Sequence, residues 1–240
     1  MKKVQSSFPS DKKFFDIYIQ ENSGTFDRKH TIYFLGPFGG KQFYFQRFIK
    51  QISRLGYRIV FLQPDLEVLS PKHPDWLNRS MLEASSYIRA DRKQCVNSQC
   101  SLLGVSLGAY IGLNVLQEEK FQKFVVIAAG IPLQELIGEG SMFSKYRKKF
   151  AEYHPDKKPG IHFIATDSAF KNADLSGVHA FVRNSHGDMV LKRKYLKQFL
   201  SDVEKAGITL DSKISGILPH PLQVLSTNFR VAAIHKFLQS

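Results

Sequence analysis

The chain has 240 residues, 43% of them hydrophobic and 23% charged, which is enough to bury one large core and too few for two. Its 34 Lys and Arg against 21 Asp and Glu leave a formal charge of +13, a positive field that favours nucleic acid, anionic lipid or an acidic protein as partner. The longest nearly unbroken apolar run, Phe124 to Leu133, is about half of the ~20 residues a spanning helix needs and contains Gly130 and Pro132, so no transmembrane segment is expected. Met1-Lys2-Lys3 leads into Gln5, Ser6, Ser7 and Asp11 without an apolar stretch, which argues against a secretory leader. Cys95 and Cys100 alone make no disulfide framework and lack the second ligand pair of a structural zinc site. A reduced, cytoplasmic protein is expected.

Taken in chain order, short runs rich in Ile, Val, Phe and Tyr alternate with segments of helical period, the pattern of a mostly parallel sheet covered by helices. Strands are predicted over Phe14 to Gln20, Thr31 to Leu35, Arg58 to Leu62, Cys100 to Leu103, Phe124 to Ala128, Ile161 to Ala165 and His179 to Val182. The first is expected to run antiparallel. Between them, Lys41 to Leu55 sets Phe45, Phe48, Ile49, Ile52 and Leu55 on one face, with Gly56 where a helix would end in the left-handed conformation. Leu77 to Arg92, Leu107 to Glu119 and Leu191 to Ala206, the last stopped by Gly207, read as helices too. No repeat or flexible linker marks a boundary. A single domain over 1–240 is expected, with a short cap at about 130–160 and a helical extension at about 208–240.

After the strand at Cys100, the sequence Gly104-Val105-Ser106-Leu107-Gly108 satisfies G-x-S-x-G. Three fixed positions recur by chance often enough to mean little alone. Here an apolar strand leads in and an amphipathic helix leads out, the strand-turn-helix on which a nucleophilic serine sits at a strained bend. Glycines at 104 and 108 remove side chains that would collide there. The competing role for Ser106 is an inert helix N-cap. A serine nucleophile needs a base, and the base needs an orienting carboxylate. Asp167 follows the predicted strand at 161–165, and His186 follows the one at 179–182. Neighbouring strand ends of a parallel sheet meet at one crevice. Asp174, Asp188 and Glu135 are alternative acids. His30, His73, His154, His162, His179, His220 and His235 are assigned to surface or packing roles.

With Ser106, Asp167 and His186 in that order, residues 14 to about 206 resemble the α/β-hydrolase superfamily. The resemblance implies an α/β-hydrolase fold with helices on both faces of the sheet. It also implies Ser106 as nucleophile, His186 as general base and then acid, and Asp167 as its partner. The oxyanion donors it implies are the N–H of Leu107 and one from the loop Gly36-Pro37-Phe38-Gly39-Gly40; Pro37 has no N–H, which leaves Phe38. The family's His-Gly pair is absent from that loop. No metal or organic cofactor is implied.

Substrate choice in this fold usually lies in the cap, where Met142, Phe143, Tyr146, Phe150 and Tyr153 recur at spacings of three and four. Lys145, Arg147, Lys148 and Lys149 fall largely off that stripe. An aromatic face over the site, comprising Phe38, Met142, Phe143, Tyr146 and Phe150, and a basic face outward suit an acyl chain carried by something acidic. In this the chain is similar to the pimeloyl-acyl-carrier-protein methyl ester esterases of biotin synthesis. The resemblance then implies an acidic acyl carrier protein gripped by Lys145, Arg147, Lys148 and Lys149. Thioesterase, lipase-like or peptidase activity uses the same acyl chemistry. A non-catalytic basic binding protein on the same scaffold is the other alternative, although no nucleic-acid motif supports it.

Overall fold

The computed structural model describes residues 1–4, 13–21, 30–95, 99–129, 133, 137–138, 140, 143–158, 173–188, 190 and 193–240. Among them run eight strands: β1 Lys2–Val4, β2 Phe15–Gln20, β3 His30–Leu35, β4 Arg58–Pro64, β5 Gln99–Val105, β6 Lys123–Ile127, β7 His179–Asn184 and β8 Thr209–Ile214. They form one sheet in the order β1-β2-β4-β3-β5-β6-β7-β8. β2 is antiparallel to both β1 and β4, and every pairing from β4 to β8 is parallel. The antiparallel first strand was expected; the short β1 at the edge was not.

The central strands are covered on both faces, which is why they read as continuous apolar runs and not as alternating ones. Along β3, Tyr33 and Leu35 enter one core while Ile32 and Phe34 enter the other, as the two-residue period requires. Helices α2 Trp76–Gln94 and α3 Leu107–Glu118 pack on the first face through Leu77, Met81, Ile111 and Val115. α5 Arg193–Lys205 joins them with Leu196 and Phe199. The second face is covered by α1 Gln46–Arg54 and by α7 Val231–Gln239, with Phe48, Ile49, Ile52, Ile234 and Phe237. At its centre the Phe34 ring lies 5.0, 5.8 and 4.7 Å from those of Phe45, Phe48 and Phe61, all edge to face, the arrangement the ring quadrupole favours. Gly56 and Gly207 end α1 and α5 at φ of 93° and 87°, as the terminators expected of them.

Two expectations are corrected. The segment Lys41 to Leu55 is not one helix: a 3-10 turn at Gln42–Phe45 precedes α1. Residues 208–240 are not wholly helical, because β8 extends the sheet before α6 His220–Leu225 and α7 begin. The strand expected over 161–165 lies outside the described residues; among the described strands β6 pairs directly with β7. α4 Ser144–Tyr153 occupies the cap region.

At the end of the sheet where the parallel strands begin, buried polar groups are paired. Arg58 donates to both oxygens of Asp91 at 2.6 and 2.8 Å and to Glu21 at 2.9 Å, while Tyr33 donates to Asp91 at 2.8 Å. Beside them, buried His30 lies 2.7 Å from Ser101 Oγ through Nε2. Burial depresses its pKa from 6.5 to about 4, because desolvation disfavours the imidazolium. Between those values the unfolded chain takes up a proton that the folded chain refuses. Stability contributed by neutral His30 is therefore present at pH 7 and lost as pH falls through that window. Urea unfolding at pH 4.5 and 7 is expected to show a larger acid loss in the native chain than in His30→Asn, by about 2 kcal/mol.

Candidate active site

Strand β5 delivers Ser106 to the end of the sheet opposite His30, and α3 starts at the next residue. Ser106 has φ 54° and ψ −120°, a conformation that costs a non-glycine residue strain energy and survives only where the surroundings over-determine it. Here the constraints are visible. Ser106 N–H donates to Ile127 O at 2.9 Å, and Ser106 O accepts from Ala109 N at 3.0 Å. A β-carbon on Gly104 would sit 2.3 Å from Ala109 Cα, and one on Gly108 would sit 2.1 Å from Leu35 O. Both glycines of the motif are thus required by close approach of backbone. The second also presses the elbow against the loop that follows β3.

The imidazole on Ser106 is that of His220: Nε2 lies 2.9 Å from Ser106 Oγ. Its Nδ1 lies 2.7 Å from Asp188 Oδ2, whose side chain is fully buried. An ionised carboxylate only accepts, so Nδ1 carries the proton and Nε2 is left to accept from the serine hydroxyl. Asp188 Oδ1 accepts from Val190 N at 3.0 Å, which fixes the carboxylate plane. Asp188 follows β7 and His220 follows β8. The loops after these strands are laced together by Ser215 N–H to Asn184 O at 3.1 Å, by His186 N–H to Gly216 O at 3.1 Å, and by Ser185 Oγ–H to Gly216 O at 3.3 Å. Gly187 packs so tightly on Ile217 that a β-carbon would lie 2.2 Å from its carbonyl oxygen. Buried Gln223 then donates to Arg183 O at 3.0 Å, anchoring the short helix whose first residue is His220.

These contacts correct the sequence assignment. His186 sits on an exposed turn, with its backbone N–H on Gly216; the imidazole within hydrogen-bond distance of Ser106 is that of His220. Asp167 lies outside the described residues, as does Glu135, and the carboxylate on His220 is Asp188, one of the alternatives. Asp174 caps its own turn through Ser176 N. Ser106 and Asp188 therefore carry a sequence signal, while His220 follows a mostly exposed strand whose sequence gives none.

Leu107 opens α3, where the first N–H groups have no partner within the helix. Phe38 stands at the first corner of the turn closed by Gly40 N–H to Pro37 O at 3.0 Å, and its side chain is exposed. In the cap, Phe150 is fully buried and cannot line an open slot; Phe143 and Tyr146 are half-buried and pack on the core. Met142 lies outside the described residues. Lys145, Lys148 and Lys149 are exposed. Arg147 is not free for a partner, since its Nη1 donates to Ile137 O at 2.9 Å and Gly140 O at 2.7 Å.

No family model and no curated protein matches the sequence. Solved structures do match in shape. An acylaminoacyl peptidase of Pyrococcus horikoshii superposes with a TM-score of 0.70 at 11% identity over 99% of this chain, which spans only 41% of that protein. Esterase B of Lactobacillus rhamnosis gives 0.64 at 13% identity, covering 98% of this chain and 82% of the other. An esterase of Pyrococcus furiosus gives 0.62 at 13%, covering 94% and 85%. The chain has the α/β-hydrolase fold.

Proposed function

We propose that the chain is a serine hydrolase that cleaves carboxylic esters through an acyl-enzyme, with Ser106 as nucleophile, His220 as base and acid, and Asp188 as the group that holds the imidazole. The observation that carries this reading is the unbroken hydrogen-bond chain from Ser106 Oγ through His220 to Asp188 on a strained elbow of the α/β-hydrolase fold. Ser106 Oγ attacks the ester carbonyl as its proton passes to His220 Nε2. The negative carboxylate of Asp188 balances the imidazolium. The N–H groups of Leu107 and Phe38 take the oxyanion. His220 then returns the proton to the leaving alcohol, and water, deprotonated by the same nitrogen, releases the acid.

The neighbouring esterases and peptidase named above support acyl transfer as the reaction class, which is fold analogy. An acyl-carrier-protein-bound methyl ester remains the finer substrate reading. It draws on exposed Lys145, Lys148 and Lys149 and no longer on Arg147. Hydrolysis of the carrier-bound ester against the free ester, at low and high salt, tests it: a preference that salt abolishes supports it, and equal rates remove it.

The hydrolase reading is tested by treating the chain with a fluorophosphonate and mapping the adduct. Modification of Ser106 is expected, together with turnover of p-nitrophenyl acetate. An unmodified Ser106, in a chain that melts cooperatively, overturns the proposal.

A further inference from the structure

The rim of the site carries apolar side chains that the fold leaves in water. Among the described residues, nine of the thirteen exposed large hydrophobic side chains fall on three segments that border Ser106 and His220: the turn from Phe38 to Tyr44, Leu66, and residues 217–229. Scattered singly, exposed apolar groups mean nothing; gathered in one patch they mark an interaction surface. Contacts show that the three segments are contiguous. Gly39 lies against Leu66. Asn228 donates to Tyr44 O at 2.8 Å and accepts from Phe48 N at 3.1 Å, clamping the third segment to the first. Leu218 and Leu222 flank His220 on either side in sequence.

The protrusion of these groups is informative about what covers them. Ile217, Phe229 and Leu66 are 86%, 73% and 66% exposed, so they stand clear of the surface instead of lining a groove. Side chains that project separately from loops suit insertion into a fluid phase better than docking on a rigid complementary face. The charge around them is mostly of one sign. Residues 36–50 and 212–230 contain no Asp or Glu, while Lys41, Arg47 and Lys213 are exposed there. The Arg47 guanidinium lies 4.7 Å from the Phe229 ring centroid, putting cation and aromatic in one spot. Asp65 and Glu67, beside Leu66, are the exceptions. An apolar patch bordered by cations complements a surface with acyl chains below and anionic headgroups above.

We propose that this rim docks the chain on an anionic lipid surface, so that ester substrates enter the site from that surface. The docking rests on the rim alone; only the identity of what is cleaved rests on the hydrolase reading.

The test uses the full chain and sedimentation with vesicles of phosphatidylglycerol and phosphatidylcholine, against vesicles of phosphatidylcholine alone. Binding to the anionic vesicles is expected, at least about tenfold above the neutral ones, and falling by a similar factor at 0.5 M salt. Ile217→Ser with Phe229→Ser is expected to weaken binding about tenfold, and Lys41→Glu with Arg47→Glu to do the same. Both pairs should keep the native circular dichroism and the rate on dissolved p-nitrophenyl acetate. Binding that is absent, or unchanged in the Ser pair, overturns the proposal. Should the charge pair alone matter, and an acidic acyl carrier protein displace the vesicles, the occupant is a protein and the lipid assignment fails. Vesicle binding by a chain whose Ser106 resists fluorophosphonate would sink the hydrolase reading and leave the docking surface standing; active chain that ignores vesicles would do the reverse.

Discussion

Substituting Ala for His220 is expected to lower kcat on p-nitrophenyl acetate by about 10⁴-fold or more, with Ser106→Ala at least as damaging and the double variant no worse than either single one. The non-additivity follows from the geometry. Ser106 Oγ and His220 Nε2 share one proton across 2.9 Å, so removing either atom ends the same transfer. What remains is the residual effect of the backbone donors and of binding. The discriminating control is His186→Ala. That side chain sits on an exposed turn, and its residue is held through the backbone N–H to Gly216 O, which alanine retains. Its kcat is expected to stay within about twofold of the native value, since exposed substitutions away from packed features have little effect. A steady-state assay of the native chain and the four variants, with thermal melts to confirm folding, decides the matter. Loss of activity in His186→Ala with retention in His220→Ala would reverse the assignment of the base.

The contrast between these two histidines shows where the sequence is readable. G-x-S-x-G was legible because each of its residues answers a local demand. Two glycines meet backbone at 2.1 to 2.3 Å if given a β-carbon, and a buried strand and a helix flank them. The central strands were legible for the same reason, since burial on both faces writes a continuous apolar run. β8 carries no such mark. Its sequence Thr-Leu-Asp-Ser-Lys-Ile is exposed at four positions and half-buried at Leu210 and Ile214, because it is an edge strand with little core to fill. Reading 209–214 as part of a helical extension leaves no strand ahead of His220, and it moves both partners one strand too early. The carboxylate is expected after the segment at 161–165 and the imidazole after β7, whereas the Asp188 and His220 that join Ser106 follow β7 and β8. Serine, carboxylate and imidazole keep their order along the chain while two of the residues differ. The cap failed differently. Its aromatic period was real, but a stripe at helical spacing is what a helix needs to pack, and fully buried Phe150 does that.

Asp188→Asn is expected to retain the fold and lose about 10³- to 10⁴-fold in kcat, with KM little changed. The carboxylate accepts at both oxygens, from His220 Nδ1 at 2.7 Å and from Val190 N at 3.0 Å. An amide has one accepting oxygen. If that oxygen keeps Val190, the amide NH₂ faces Nδ1 and can only donate. The imidazole must then place its proton on Nε2, the atom that has to accept from Ser106. Volume and packing are preserved in this variant, so the loss isolates the tautomer. Asp188→Ala would also remove the neighbour's support and confuse the two effects. Steady-state kinetics of the native chain and Asp188→Asn, with thermal melts beside them, measure the loss, and a kcat within about tenfold of native would mean that Asp188 does not set the tautomer of the imidazole.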